Sequence, residues 1–491
     1  MRTRNLFLLL LGWSVSVLLF LSIDSPLHGV YGHNDSAWFF MCGKAVMNGL
    51  TPYVDFADSK GPLLWLVYGV GYLLSPRNYV GVWILSCLAY ACTFYYNYLT
   101  ARLLLGDGRK GLLVALLMPL AYFLPWFHYE VRAEDFCNLP VAVSLYYLFR
   151  VLYGSGAARP AVRRVGLVLG ACFMALVLVK WSVAVMQASM IVFALWYLIW
   201  EKQEYGLLKW VACGMSAVAL PFAVWLVAAG AWPAFVEEYF VNTFRTVSSD
   251  EGFVSALLSE IETQWNTPLS QALLILLVTG GWLLGRTLPR YRHVPLAVSL
   301  FFFLVCTRHN MNYYYAACYI FLMYLITYLV SLLSSPVRSR SLVLAAAAVL
   351  AWGVSENVCP HSLKHPTAKW TTGKSRDSFE RLSRCINGDH PRIMNLHAGE
   401  FGFGIQSEAL PAGRYWSKQV GMTYEMTKGH LELLIKRRAD YVVAYNAAAC
   451  RQKGLSTDYI ISIGYTPVDS MTYVDYKGSE RTTIVYRRSE K

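Results

Sequence analysis

Residues 31–64 read YGHNDSAWFFMCGKAVMNGLTPYVDFADSKGPLL. An apolar run at roughly 6–23 precedes this stretch, and another at roughly 79–103 follows it. The stretch itself holds Asp35, Asp55 and Asp58 with Lys44 and Lys60. A loop that only joined two membrane helices would need none of these charges. The flanking runs predict helices through a bilayer, and the polar stretch between them points to chemistry at the water–lipid boundary.

Composition agrees with that division. The 491 residues are 56% hydrophobic and 15% charged, against about 25% charged in soluble domains. Several runs approach the ~20 apolar residues that cross a bilayer. The net charge of +13 comes mostly from basic residues in short loops, which is the positive-inside pattern. No nucleic-acid partner is implied. The opening MRTRN is followed by an apolar run longer than the ~7–15 residues of a signal-peptide core, with no A-x-A site after it, so it reads as an uncleaved first span.

Periodicity and length predict about 11 transmembrane helices, at roughly 6–23, 79–103, 111–127, 136–153, 165–180, 183–200, 207–229, 270–286, 292–307, 313–333 and 341–355. The run from Pro62 to Leu74 is short for a crossing and reads as a re-entrant or interfacial helix. With that count, Arg2 and Arg4, then Arg102, Arg109 and Lys110, then Arg159, Arg163 and Arg164, then Arg286, Arg290 and Arg292, and finally Arg338 and Arg340 all fall on one face. That face is cytoplasmic. The N-terminus is then cytoplasmic. The opening loop, the loop at Glu134, the segment at about 230–268 and the whole tail lie outside.

From about Glu356 the long apolar runs stop. The expected division is a membrane domain over 1–355 and a small extracytoplasmic α/β domain over 356–491. In the tail HLELLIKRRA reads as a helix, and DYVVAYN, TDYIISIGY and RTTIVYRR read as strands. Cys359, Cys385 and Cys450 lie in this polar tail, and any disulfide among them stays open.

Each candidate residue has a structural reading beside a chemical one. Asp35 precedes an aromatic-rich helical pattern, where it could cap the helix or face a cavity. Asp55 and Asp58 could build a turn before a helix with Pro62 at its start, but a turn does not explain charges at Asp55 and Lys60. Glu134 and Asp135 open an apolar span, where a helix dipole favours them. They could instead orient an acceptor or, with Asp35, hold a hard divalent cation. Lys180 ends GLVLGACFMALVLVK, and Arg308 and His309 follow the ninth span. Such cations either snorkel to headgroups or bind a lipid phosphate. No P-loop, G-x-G-x-x-G, G-x-S-x-G or H-E-x-x-H occurs.

The opening loop resembles that of bacterial GT-C membrane glycosyltransferases, the family 39-like enzymes related to protein O-mannosyltransferases and lipid A aminoarabinose transferases. Asp35 stands where that family has its catalytic carboxylate. Tyr53, Asp55, Asp58, Lys60, Gly61, Pro62 and Leu63 match its Y-x-D-x-x-D-x-K-G-P-L pattern. Glu134 and Asp135 match its second-loop acidic pair, Lys180 a helix-ending lysine, and Arg308 an arginine near the ninth span. The His-Tyr pair that usually follows that arginine is altered here to His309-Asn310.

The resemblance implies a mainly α, polytopic GT-C protein of a bacterial inner membrane. It implies a polyprenyl-phosphate sugar donor and a glycan, lipid or protein acceptor. Asp35 would be the base of an inverting transfer. Asp55, Asp58, Glu134 and Asp135 would orient the acceptor or hold a metal, and Lys60, Lys180 and Arg308 would bind the donor phosphate. The alternatives are a transporter or flippase of lipid-linked sugars, for which an internal repeat is missing, and an O-antigen-type polymerase.

Overall fold

A computed structural model describes residues 3–27, 35–119, 131–154, 161–243, 268–306, 320–333, 380–396, 402–417, 424–444, 447–452, 454–474 and 480–489. In chain order the helices are α1 (Thr3–Leu21), α2 (Asp35–Met47), α3 (Pro62–Leu74), α4 (Val80–Leu105), α5 (Gly108–Leu117), α6 (Ala133–Tyr153), α7 (Val162–Leu195), α8 (Leu207–Ala228), α9 (Trp232–Phe235), α10 (Pro268–Thr287), α11 (Val294–Cys306) and α12 (Leu322–Ser331). The tail adds β1 (Arg392–Asn395), β2 (Leu410–Pro411), α13 (Tyr424–Ile435), β3 (Tyr441–Ala444), α14 (Ala447–Gln452), α15 (Thr457–Ser462), β4 (Tyr465–Val474) and β5 (Glu480–Arg488).

Among the described residues, five helical runs are long and apolar enough to cross a membrane: Thr3–Phe20, Val80–Leu105, Ala133–Tyr153, Val162–Glu201 and Leu207–Ala228. This is a multi-pass membrane protein. The run Val162–Glu201 has 40 residues, which at ~1.5 Å per residue is about twice the thickness of a bilayer core. It breaks at Lys180, whose backbone is extended (φ −155°, ψ 100°). The break falls where the sequence predicts one span to end and the next to begin. Helix α3, at 13 residues, is ~20 Å long and too short to cross. The predicted span 341–355 and residues 120–127 of the span at 111–127 lie outside the described residues.

The chain forms two compact units. The first comprises Met1–Leu21, Ser86–Trp225 and Ser248–Val354. Its helices pack backbone to backbone where glycine allows. A Cβ on Gly170 would meet the Val211 carbonyl at 2.1 Å, and one on Gly214 would meet the Leu167 carbonyl at 2.2 Å. Gly166 and Gly170 thus form a small-xxx-small face on α7 against α8, the usual way for helices to associate in lipid.

The second unit comprises Ser22–Leu85, Leu226–Val247 and Ser355–Lys491. Its last segment is the tail, which does not cluster by itself. It joins the opening loop and the segment after α8. Those three stretches are the ones that charge placement puts on one side of the membrane. Helices α2 and α3 pair closely, since a Cβ on Gly43 would meet the Gly69 nitrogen at 2.5 Å. The tail sheet has the order β2-β1-β3-β5-β4. Strand β1 runs parallel to β2 and β3, and β5 runs antiparallel to β3 and β4. Met394, Leu434, Val442, Tyr465 and Tyr486 fill the core beneath it.

One predicted strand is a helix. TDYIISIGY forms α15 and a turn, because the Ser456 hydroxyl accepts the Tyr459 N–H at 3.2 Å and caps Thr457–Ser462. That cap outweighs the β-branched composition. Cys385 carries a free thiol and Cys450 is buried in the tail core, while Cys359 lies outside the described residues.

Candidate functional site

In the second unit, the site residues of the opening loop gather around α2. Asp35 is the first residue of that helix and is half-buried. It lies within the first turn, where a helix dipole favours negative charge. Asp58 is buried and accepts the Trp38 indole N–H. The Lys60 ammonium stands 3.8 Å from the other Asp58 oxygen and 5.8 Å from the centre of the Phe39 ring. Burial pushes the Asp58 carboxyl above its ordinary range. Lys60 and the indole N–H work against that shift, and the Asp35 charge adds to it. Asp35 and Asp58 are therefore electrostatic neighbours. Asp55 has a structural task, since its carboxylate accepts the Thr51 N–H at 2.7 Å and closes the turn. The Tyr53 hydroxyl donates to the Lys60 carbonyl at 2.7 Å, which holds the Y-x-D-x-x-D-x-K loop as one piece.

The tail locks this loop. Trp38 and Trp416 stack in parallel with ring centres 4.9 Å apart. The Ala57 N–H donates to the Arg414 carbonyl at 2.8 Å. The Arg414 guanidinium reaches Glu237 at 2.9 Å and Glu238 at 2.6 Å, and the Tyr415 hydroxyl donates to Glu238 at 2.7 Å. The opening loop alone gives no sign of Trp416, Arg414, Glu237 and Glu238 as its partners. The only signal in the sequence is the acidic pair Glu237-Glu238 in the segment after α8.

Lys44 is fully buried and donates to the carbonyls of Gly404 (3.0 Å) and Ser407. Burial lowers its pKa to about 8, with Glu408 pulling the other way. Below about pH 8 both folded and unfolded chains carry this proton, and the fold bears the cost of burying the charge. Between about 8 and the ordinary 10.5, the unfolded chain holds the proton and the folded chain releases it. Stability from this group therefore rises with pH in that window. Thermal melting of the full chain in detergent between pH 7.5 and 10.5 should show that rise, and Lys44→Met should flatten it. An unchanged slope in the variant would assign the titration to another group.

In the first unit, α6 and the α7 break bring two predicted residues together. Lys180 and Glu134 form a close ion pair, and both are buried. The helix break carries the Lys180 side chain to that position. Asp135 accepts the Tyr90 hydroxyl and, at 2.7 Å, the Arg132 N–H. Asn138 lies one turn beyond Glu134 and is fully buried. Neither of its amide atoms has a hydrogen-bond partner among the described residues. A buried polar group left without any partner would cost about 1–3 kcal/mol. Sequence reasoning missed Tyr90 and Asn138, because an Asn or Tyr inside an apolar run carries no charge signal. Arg308 lies outside the described residues.

Among the described residues no three His, Cys, Asp or Glu side chains gather as a ligand set. The Glu134 and Asp135 carboxylates are engaged by Lys180, Tyr90 and the Arg132 N–H.

No protein-family model matches the chain, and no curated protein matches it. Solved structures do. ArnT from Cupriavidus metallidurans in the apo state superposes with a TM-score of 0.60 at 13% identity, covering 99% of this chain and 98% of that one. The same protein bound to undecaprenyl phosphate matches equally, with a TM-score of 0.60 at 13% identity over 99% and 98% of the two chains. Arabinofuranosyltransferase AftD from Mycobacteria gives 0.51 at 13% identity, over 100% of this chain and 40% of that one.

Proposed function

We propose, from the GT-C fold that this chain has, that it is a membrane glycosyltransferase. It moves a sugar from a polyprenyl-phosphate donor to an acceptor hydroxyl on the outer face of a bacterial inner membrane. The observation that supports this reading is the end-to-end match with an ArnT whose structure holds undecaprenyl phosphate.

The acceptor oxygen attacks the anomeric carbon while the bond from that carbon to the phosphate oxygen breaks. One displacement inverts the configuration. The acceptor's proton passes to Asp35, and the electron pair leaves with the polyprenyl phosphate. A positioned carboxylate is suited to take that proton. Asp58, whose carboxyl is pushed up by burial, holds the Asp35 loop through Trp38 and orients the acceptor. Cations stabilise the charge that develops on the leaving phosphate, a part given to Lys60, Lys180 and Arg308. Glu134 fixes the Lys180 ammonium, and Asp135 fixes the start of α6. The Asn138 amide, without a partner among the described residues, suits a donor oxygen. Asp55 shapes the loop through its bond to Thr51.

The test is reconstitution of the full chain in liposomes with a polyprenyl-phosphate sugar labelled in the sugar. Label should appear on an acceptor through a new glycosidic bond. Label that crosses the bilayer still attached to its lipid, with no new bond, would make the chain a transporter and overturn the reading.

A further inference from the structure

The tail carries a polar groove of about 760 Å³ that the transfer reaction does not use. Its size falls within the ~300–1,000 Å³ range of small-ligand sites. It opens where β1 and β3 begin and β5 ends, beside the C-terminus of α13. Lys436, Arg437, Arg487 and Arg488 line it against Asp389 and Asp440. Asp440 is engaged already, by Arg488 at 2.6 Å and by the Arg392 N–H at 2.7 Å. The Asp389 side chain is 98% exposed and neutralises little. The groove is left with an excess of positive charge.

Arg437 is the telling residue. The Arg438 N–H bonds to the Leu433 carbonyl and the Arg437 N–H to the Leu434 carbonyl, both at 3.0 Å. These bonds define a Schellman turn with Arg437 at its left-handed position, φ +54°. Helices usually place glycine there, because an L side chain is strained in that conformation. Here an arginine occupies it. Its guanidinium lies over Gly464, where an added Cβ would come within 3.0 Å of the Arg437 Cζ. One N–H group donates to the Ser489 carbonyl, and the buried Nε has no partner among the described residues. A second left-handed non-glycine residue, His390 at φ +47°, lies in the chain between the lining residues Asp389 and Pro391. Backbone strain of this kind persists where the side chain it presents is needed.

We infer that this groove is an anion subsite, with Arg437 as its anchor, for a phosphorylated polyhydroxyl compound such as a sugar phosphate. The cations take the phosphate, and Asn387, Asp389 and Ser489 are suited to hydroxyl groups. This inference stands whether or not the membrane part transfers sugar.

The experiment measures binding of glucose 6-phosphate, glucose and inorganic phosphate to the full chain in phosphatidylcholine nanodiscs. Glucose 6-phosphate should bind and glucose should not. Arg437→Gly, which suits the turn and should leave melting unchanged, should weaken binding by about tenfold or more. Arg437→Lys should fall between the two. Unchanged binding in Arg437→Gly would overturn the inference. Inorganic phosphate binding as tightly as the sugar phosphate would remove the hydroxyl-bearing part of it. Displacement of the sugar phosphate by phosphatidylglycerol in the disc would make the occupant a lipid headgroup and overturn the saccharide assignment.

Discussion

Asp35→Asn in the full-length chain is expected to lower sugar transfer by about 10²- to 10⁴-fold, the usual contribution of a positioned general base. The expected loss is in kcat, because the proton moves only as the new bond forms. Folding should scarcely change. Asp35 sits in the first turn of α2 and is half-buried, so a neutral amide forfeits only a helix-dipole contribution of about 0.3–1 kcal/mol. Stability and rate are therefore separable at this position. Full transfer by a folded Asp35→Asn chain would remove Asp35 from the reaction and pass the base role to Asp58 or Glu134. Asp58→Asn is the control. It keeps an acceptor for the Trp38 indole, so a loss much smaller than that of Asp35→Asn is the result that leaves the roles as assigned.

Lys180→Met should be the more damaging change to the fold. It strands the Glu134 carboxylate inside the first unit, where both partners are buried. Breaking one side of a buried pair typically costs about 3–5 kcal/mol, a large part of the total stability of most domains. Adding Glu134→Gln should recover most of that loss, because the stranded charge is gone. Melting of the single and double variants in detergent reads this directly. A Lys180→Met chain as stable as the parent would mean that the pair does not carry the charge balance of this unit. Transfer activity of the double variant then separates the two tasks of Lys180. Restored stability without restored transfer is the outcome expected of a lysine that also serves the donor phosphate.

What could be read from the sequence follows from two local constraints. Backbone groups in lipid must bond within their own helix, so spans have to appear as long apolar runs. Helices α3, α4 and α6 follow that rule, and the break in α7 falls at Lys180, between two apolar runs. The polar opening loop stood out for the same reason, since charge beside a bilayer is costly and needs a purpose. The helix at Thr457–Ser462 was hidden because a single serine cap governs it while the composition suggests a strand.

The tertiary structure alone decided which distant groups meet. Nothing in the run around Glu134 says that Lys180 neutralises it, because that pairing needs both the α6–α7 contact and the break at Lys180. Nothing near Trp38 announces Trp416, and nothing near Lys44 announces the carbonyls of Gly404 and Ser407. Ion pairs, ring stacks and buried donors depend on separation in space, which falls within bonding range only after the chain has packed. The amino-acid order by itself determined a helical membrane protein with a charged loop between its first spans. Packing joined that loop to the tail and placed an arginine at a turn where the local backbone favours glycine.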